Sequence, residues 1–202
     1  SLQQIYQHKS ALLKLRSGML MLAESDGGAV SAHLALDRGP TQTVIAEFLS
    51  EFCIPVTGIS AAGETLWTRE DQAKSQYPGQ GWHFQAQDFS QVNPEINTAI
   101  VEQVSAWLAA KPGENVVDAF SGLGNFSLAL AASGAGITGV ELDSAMVARA
   151  RENAQAWPQL HFIQGDLFSE AYGLPKNTTK LVLDPPRAGG AALCRVLAGS
   201  RV

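Results

Sequence analysis

At 202 residues and 46% hydrophobic content, the chain can bury one ordinary core, or a large and a small one. A formal charge of −5 gives no global signal for nucleic acid, and two distant cysteines, Cys53 and Cys194, without a C-x-x-C pair argue against a zinc or iron–sulfur centre. Residues 1–4 carry no basic-then-apolar leader and no apolar run reaches the length of a membrane span, so a soluble cytoplasmic protein with reduced thiols, no membrane contact and no metal is expected.

Residues 1–87 read as a small α+β unit. Leu2, Ile5, Leu12, Leu13 and Leu15 fit a helix, or a helix followed by a strand. Residues 18–23 form a short apolar run that ends at the turn signal Glu24-Ser25-Asp26-Gly27-Gly28, and 29–36 read as a second strand, giving a hairpin. Thr41 caps a helix through Phe52 with Val44, Ile45, Phe48 and Leu49 on one face. Residues 54–60 and 64–68 flank Ala61-Ala62-Gly63 as another hairpin, and 71–81 are polar and turn-rich. His8, His33 and His83 are scattered, which suits core or surface histidines rather than metal ligands.

A boundary near 85–88 separates this unit from residues 88–202, where strands and helices alternate as in an α/β, Rossmann-like domain. Asn93 caps a helix with Pro94 at its first position, and Ile96, Ile100, Val104 and Leu108 repeat along it until Lys111-Pro112-Gly113. Val116-Val117-Asp118 then runs into Ser121-Gly122-Leu123-Gly124 and a new apolar-periodic run at Phe126, Leu128, Leu130 and Ala131. That is a buried parallel strand, a tight glycine turn and a helix opening, whose N–H groups suit a nucleotide-type ligand. Residues 137–141 form a second strand, Asp143 caps a helix through about Trp157, 160–164 form a third strand, and 180–184 a fourth. A last helix over 188–198 stops at Gly199.

Ligands of open α/β sheets bind outside the carboxyl ends of the strands. Four consecutive strands here end in polar chemistry, at Asp118, Glu141, Asp166 and Asp184. Glu141 lies at the distance from the glycines expected of an acid that holds a ribose, and Asp166 suits the edge of an adenine. A dinucleotide site wants G-x-G-x-x-G/A, but the third position is Ser127, and no acid–base pair suggests hydride transfer. The turn Asp184-Pro185-Pro186-Arg187 is rigid and suits a grip on a planar heterocycle. S-adenosylmethionine is therefore favoured over NAD.

The stretches Asp88-Phe89-Ser90-Gln91-Val92-Asn93, 118–126, Val140-Glu141 and Leu183-Asp184-Pro185-Pro186-Arg187-Ala188-Gly189 resemble the RNA uracil-C5 methyltransferases, which make 5-methyluridine in ribosomal and transfer RNA. Gln-Val-Asn with Gly-Leu-Gly-Asn-Phe is most similar to the 23S ribosomal RNA branch. The resemblance covers 88–190 well and 1–87, the family's central domain, only loosely. It implies a C-terminally truncated methyltransferase domain and cofactor contacts from Gln91, Phe120, Asn125, Glu141, Asp166 and Asp184. Gln91 serves the methionine end, Phe120 and Asn125 the glycine turn, Glu141 the ribose and Asp166 the adenine, while Asp184 lies near both cofactor and uracil. Ser121 stands where the family usually has Cys.

In this family a cysteine thiolate adds to uracil C6, C5 attacks the methyl group, and a glutamate removes the C5 proton. The resemblance implies that both groups lie beyond Val202, so this chain carries no catalytic residue and reads as an internal fragment. Cys194 sits in an apolar helical run and is expected to be a buried thiol rather than a nucleophile. Arg149, Arg151, Lys176, Lys180, Arg187 and Arg195 are spread among the acids, so the fragment is expected to bind RNA weakly, with ribosomal RNA held partly by a missing domain; a monomer is expected. The target base must leave its stack. Alternatives are a transfer-RNA uridine methyltransferase, an amino-methyltransferase that uses Asp-Pro-Pro, and a module that binds cofactor or RNA without catalysis.

Overall fold

The computed structural model describes residues 18–24, 30–52, 56–62, 64–68, 75–76, 82–85, 88–89, 91 and 93–199. The readings over 2–16 and 25–28, and Cys53, fall outside them. The chain divides into two units, Ser1–Gln87 and Asp88–Val202.

In the first unit β1 (Gly18–Glu24) and β2 (Val30–Leu36) pair antiparallel, with Gly18 opposite Leu36. Helix α1 (Gln42–Glu51) follows, capped by the Thr41 hydroxyl, which accepts from the Val44 N–H. Strands β3 (Val56–Ala61) and β4 (Glu64–Thr68) form the second expected hairpin. The two hairpins are one sheet, β1-β2-β3-β4, because β2 and β3 pair in parallel and α1 makes the crossover such a pair requires. Ile45 and Phe48 bury the helix against Leu34, Leu36 and Ile59, and Phe48 stacks on Phe52 at 4.8 Å. His33 is a core histidine bonded to the Ser60 hydroxyl at 3.0 Å, and burial lowers its pKa. Within the polar stretch 71–81, Ser75–Gln76 (β5) pairs antiparallel with His83–Phe84 (β6). A two-residue ribbon is too short to show an alternating pattern.

The second unit opens with α2 (Pro94–Leu108), where the Asn93 side chain accepts from the Ile96 N–H and Ala109 closes the helix in the left-handed region. Its buried stripe is not the expected one. Ile96 and Ile100 are 57% and 44% exposed, whereas Asn97 and Val101 are buried. A strict four-residue repeat drifts about 40° per step around a 3.6-residue helix. The row 96-100-104-108 therefore starts on the exposed side and winds toward the packed face only at Val104 and Leu108, and Asn97 fills the first inward position because it has a polar partner there.

Strands β7 (Asn115–Ala119), β8 (Gly136–Glu141), β9 (Leu160–Gln164) and β10 (Lys180–Leu183) form a parallel sheet in the order β10-β7-β8-β9. Three helices complete it: α3 (Asn125–Leu130), α4 (Ser144–Asn153) and α5 (Ala191–Ala198). Asp143 caps α4 by accepting from the Ala145 and Met146 N–H groups. Helix α4 ends before Trp157 because i→i−3 bonds, Gln155 N–H to Glu152 O and Trp157 N–H to Ala154 O, tighten its last turn toward β9. Helix α5 starts later than residue 188 because the Gly189 N–H closes a turn on Pro186 O.

The segment before α2 is held by Asp88, whose side chain is almost fully buried and receives both Nε and Nη2 of Arg149 on α4. Removing one partner of a buried ion pair leaves the other charge uncompensated. Arg149→Ala is therefore expected to destabilise the second unit by about 3–5 kcal/mol in urea unfolding. A loss below about 1 kcal/mol would show that water replaces the guanidinium without penalty.

Candidate functional site

Strand alternation places Val116 and Asp118 on the α3 face of the sheet and Val117 and Ala119 on the other. Asp118 is 1% exposed, so it does not reach a ligand from the strand end. Its Oδ2 accepts from both the backbone N–H and the hydroxyl of Ser127, at 3.0 and 2.6 Å. Ser127 occupies the third glycine position of the dinucleotide pattern. There the hydroxyl achieves by a hydrogen bond the close helix–strand approach that a glycine otherwise permits. Burial pushes the Asp118 carboxyl up to about 6, opposed by the Ser127 bonds and reinforced by the charges of Asp184 and Glu141.

Above Asp118 the chain turns sharply. Phe120, Gly122 and Gly124 have φ of +65°, +55° and +94°. The Ser121 N–H donates to Val140 O and the Gly124 N–H to Ser121 O. Glu141, at the end of the adjacent strand, ties the turn down: its Oε2 accepts from the Gly122 N–H at 3.0 Å, and its Oε1 from the Asp143 N–H at 2.9 Å. Both oxygens are oriented by backbone donors, and each keeps acceptor capacity for a further donor. The expected helix-terminus ligand site is modest, since α3 has six residues and the Gly122 N–H already serves Glu141.

The other expected residues fall around this turn to different degrees. Phe120 is half-buried, meets Phe168 edge-on at 5.4 Å, and lies beside Gly190, where an added Cβ would come within 3.4 Å of its ring and 3.5 Å of Pro185. Asp166 is exposed after β9, and its Oδ1 accepts from the Phe168 N–H at 2.9 Å. Asp184 is exposed directly after β10. Asn125 opens α3, but its amide is paired reciprocally with Asn97: Asn125 Nδ2 donates to Asn97 Oδ1 at 2.8 Å, and Asn97 Nδ2 to Asn125 Oδ1 at 2.9 Å. Gln91 is half-buried in the segment anchored by Asp88. The carboxyl-end residues Phe120, Glu141, Asp166 and Asp184 thus share one edge of the sheet, and Gln91 reaches the unit through a different anchor.

Cys194 corrects its expectation. The thiol is exposed, because Ala192, Leu193, Val196 and Leu197 form the inward face of α5 and Cys194 lies outside that arc. Among the described residues no cluster of His, Cys, Asp or Glu could hold a metal, and no helix is long and apolar enough to cross a membrane. The sequence patterns did not single out Asn97 or Phe162, and Ser127 entered only as a departure from the dinucleotide pattern. The signals were present: an asparagine four residues after a capping asparagine, a serine at a glycine position, and Gly139 opposite an aromatic residue.

A parallel sheet ordered β10-β7-β8-β9, with a glycine turn after β7 and an acid after β8, defines a Rossmann-like methyltransferase domain, and residues 116–185 match the family model described as a methyltransferase domain. The chain is 36% identical over 190 residues to the 23S rRNA (uracil(1939)-C(5))-methyltransferase RlmD of Photobacterium profundum, across 87% of this chain and 39% of that protein. It is 44% identical over 115 residues to the protein of the same name from Alteromonas naphthalenivorans, across 54% of this chain and 24% of that one. The fold is similar to the tRNA (uracil-54, C5)-methyltransferase of Pyrococcus abyssi in complex with S-adenosyl-L-homocysteine, with a TM-score of 0.61, 20% identity and coverage of 96% of this chain and 53% of that chain. By sequence the chain contains a methyltransferase domain and is similar along most of its length to proteins named as 23S rRNA uracil-C5 methyltransferases. It spans 39% or less of the length of these two curated relatives.

The raised pKa of Asp118 sets a pH dependence. The protonated form is favoured in the folded state, so its contribution is fully present below the unfolded carboxyl pKa and is lost as pH rises through about 6. Between about pH 4 and pH 7 the stability of the wild type relative to Asp118→Asn is expected to fall by roughly 2 kcal/mol. Urea unfolding of both proteins across this range checks it; a constant difference would mean that Asp118 stays ionised throughout.

Proposed function

We propose that this chain is the cofactor-binding part of an enzyme that methylates uridine C5 in 23S ribosomal RNA, with S-adenosylmethionine as methyl donor. The observation that carries the reading is the Glu141 carboxylate, oriented by the Gly122 and Asp143 N–H groups one strand away from the glycine turn. Two fixed acceptor oxygens at a strand end match the two hydroxyls of a ribose. The names and identities of the curated relatives support uracil C5 of 23S ribosomal RNA as the target.

The cofactor supplies a methyl group on a sulfonium. The residues present fit it by their donor and acceptor chemistry. Glu141 accepts from the ribose hydroxyls, and Asp166, with Oδ1 committed to the Phe168 N–H, offers Oδ2 to the exocyclic amine of adenine. Phe120 and Phe168, in edge-on contact, offer an apolar surface beside the turn. Asn125 offers its remaining N–H and lone pair at the turn, Gln91 serves the methionine end, and Asp184 stands where cofactor and uracil meet. The first unit serves as the family's central domain and the second as its methyltransferase domain, in a cytoplasmic, monomeric chain whose partner is ribosomal RNA. Cys194, a free and exposed thiol on the outward side of α5, is not assigned as the nucleophile.

Calorimetric titration with S-adenosylhomocysteine, with NAD in parallel, tests the reading. Binding of S-adenosylhomocysteine alone is expected. Glu141→Ala is expected to weaken it at least about tenfold, the loss of a charge-assisted hydrogen bond. NAD binding in its place, or unchanged affinity in the variant, would overturn the assignment.

A further inference from the structure

Asn97 is a polar residue, 2% exposed, in the inward stripe of α2 otherwise filled by Val101, Val104 and Leu108. A buried amide without partners is costly, so its presence needs a reason. Its partner is the side chain of Asn125, the first residue of α3 after the left-handed Gly124. The two amides exchange one hydrogen bond each, closing a ring. Each group then has one N–H and one acceptor lone pair left over.

Such a ring has a specific consequence. An isolated asparagine can rotate its amide by half a turn and exchange O for N at small cost. In a reciprocal pair, turning one amide alone sets N–H against N–H and O against O, so neither can turn without the other. The plane of the Asn125 amide is thereby fixed from a different helix. That helix is itself secured at its start, since Asn93 caps it and Asp88 ties the preceding segment to Arg149 of α4. The first turn of α2 and the Asn125 amide at the glycine turn are joined through one buried side chain.

We propose that Asn97 is a positioning residue for the nucleoside-cofactor site: it touches no ligand and acts by holding the Asn125 amide in register at the glycine turn. The proposal rests on the reading of this turn as a methyltransferase cofactor site. Mere structural support of α2 would make the effect of altering Asn97 independent of what stands at position 125. A positioning role makes it vanish when Asn125 is absent.

The test is a double-mutant cycle on the full chain, with calorimetric S-adenosylhomocysteine binding and thermal unfolding measured for the wild type, Asn97→Asp, Asn125→Ala and the double variant. Asn97→Asp keeps the size and the acceptor but loses the donor to Asn125 Oδ1. It is expected to weaken binding about tenfold, and to weaken it no further in the Asn125→Ala background. Asn97→Ser is measured alongside as a second variant that removes the ring without adding a charge, and the same non-additivity is expected of it. Equal weakening with and without Asn125, or none in either, would overturn the positioning role. No binding by the wild type would instead overturn the cofactor reading beneath it.

Discussion

One cross-strand row constrains the second unit. Val182, Asp118, Gly139 and Phe162 stand opposite one another on β10, β7, β8 and β9. Gly139 leaves a gap in this row, and the Phe162 ring lies across it. A Cβ at Gly139 would come within 2.4 Å of the ring and 2.9 Å of the Ser121 hydroxyl oxygen. The same ring reaches Gly124, where a Cβ would meet it at 2.5 Å. The glycine turn therefore sits directly on an aromatic floor, which demands a glycine at position 124 of the turn and at position 139 of β8 before any ligand is considered.

The floor also explains the electrostatics beneath the turn. With Phe162 filling the row and Ser127 above, Asp118 is sealed from water. Its carboxyl must either ionise in an apolar setting or hold its proton, and the raised pKa is the compromise. In return the carboxylate joins the end of β7 to the first turn of α3. Above it, Phe120 occupies a left-handed backbone conformation that a non-glycine residue adopts at a cost of about 1 kcal/mol or more. The ring contact with Phe168, the packing beside Gly190 and Pro185, and the Ser121 N–H to Val140 O bond together outweigh that cost.

The sequence made the order of elements in the second unit legible because each strand is a short apolar run with an acid at or near its end and two of the helices, α2 and α4, carry side-chain caps. Asn93 and Asp143 act as caps in the structure, as their positions suggest. Connectivity across the first unit was not legible. The parallel pairing of β2 with β3 depends on where α1 returns, which no local pattern records. The inward face of α2 was misread for a related reason. Periodicity weighs Ile96 and Ile100 as core and Asn97 as surface, and only the presence of Asn125 on another helix reverses that ranking. Within the site, the acids at strand ends were visible, but the sequence could not separate Asp118, which is buried and structural, from Glu141, which is half-buried and held at the turn.

The three acids at the mouth of the sheet differ in how firmly they are held, and the difference follows the order of the strands. Glu141 at the end of β8 is fixed by two backbone N–H groups, Asp166 after β9 by one, and Asp184 after β10 is exposed, with its backbone restrained by Pro185 and Pro186. A carboxylate fixed at both oxygens suits a ligand feature that is the same in every turnover, such as a ribose. An exposed carboxylate on a stiff backbone keeps its side-chain freedom while its Cα stays in place, which suits a partner that arrives and leaves. On the methyltransferase reading, rigidity therefore sits beside the cofactor's nucleoside, and adjustability sits on the β10 side.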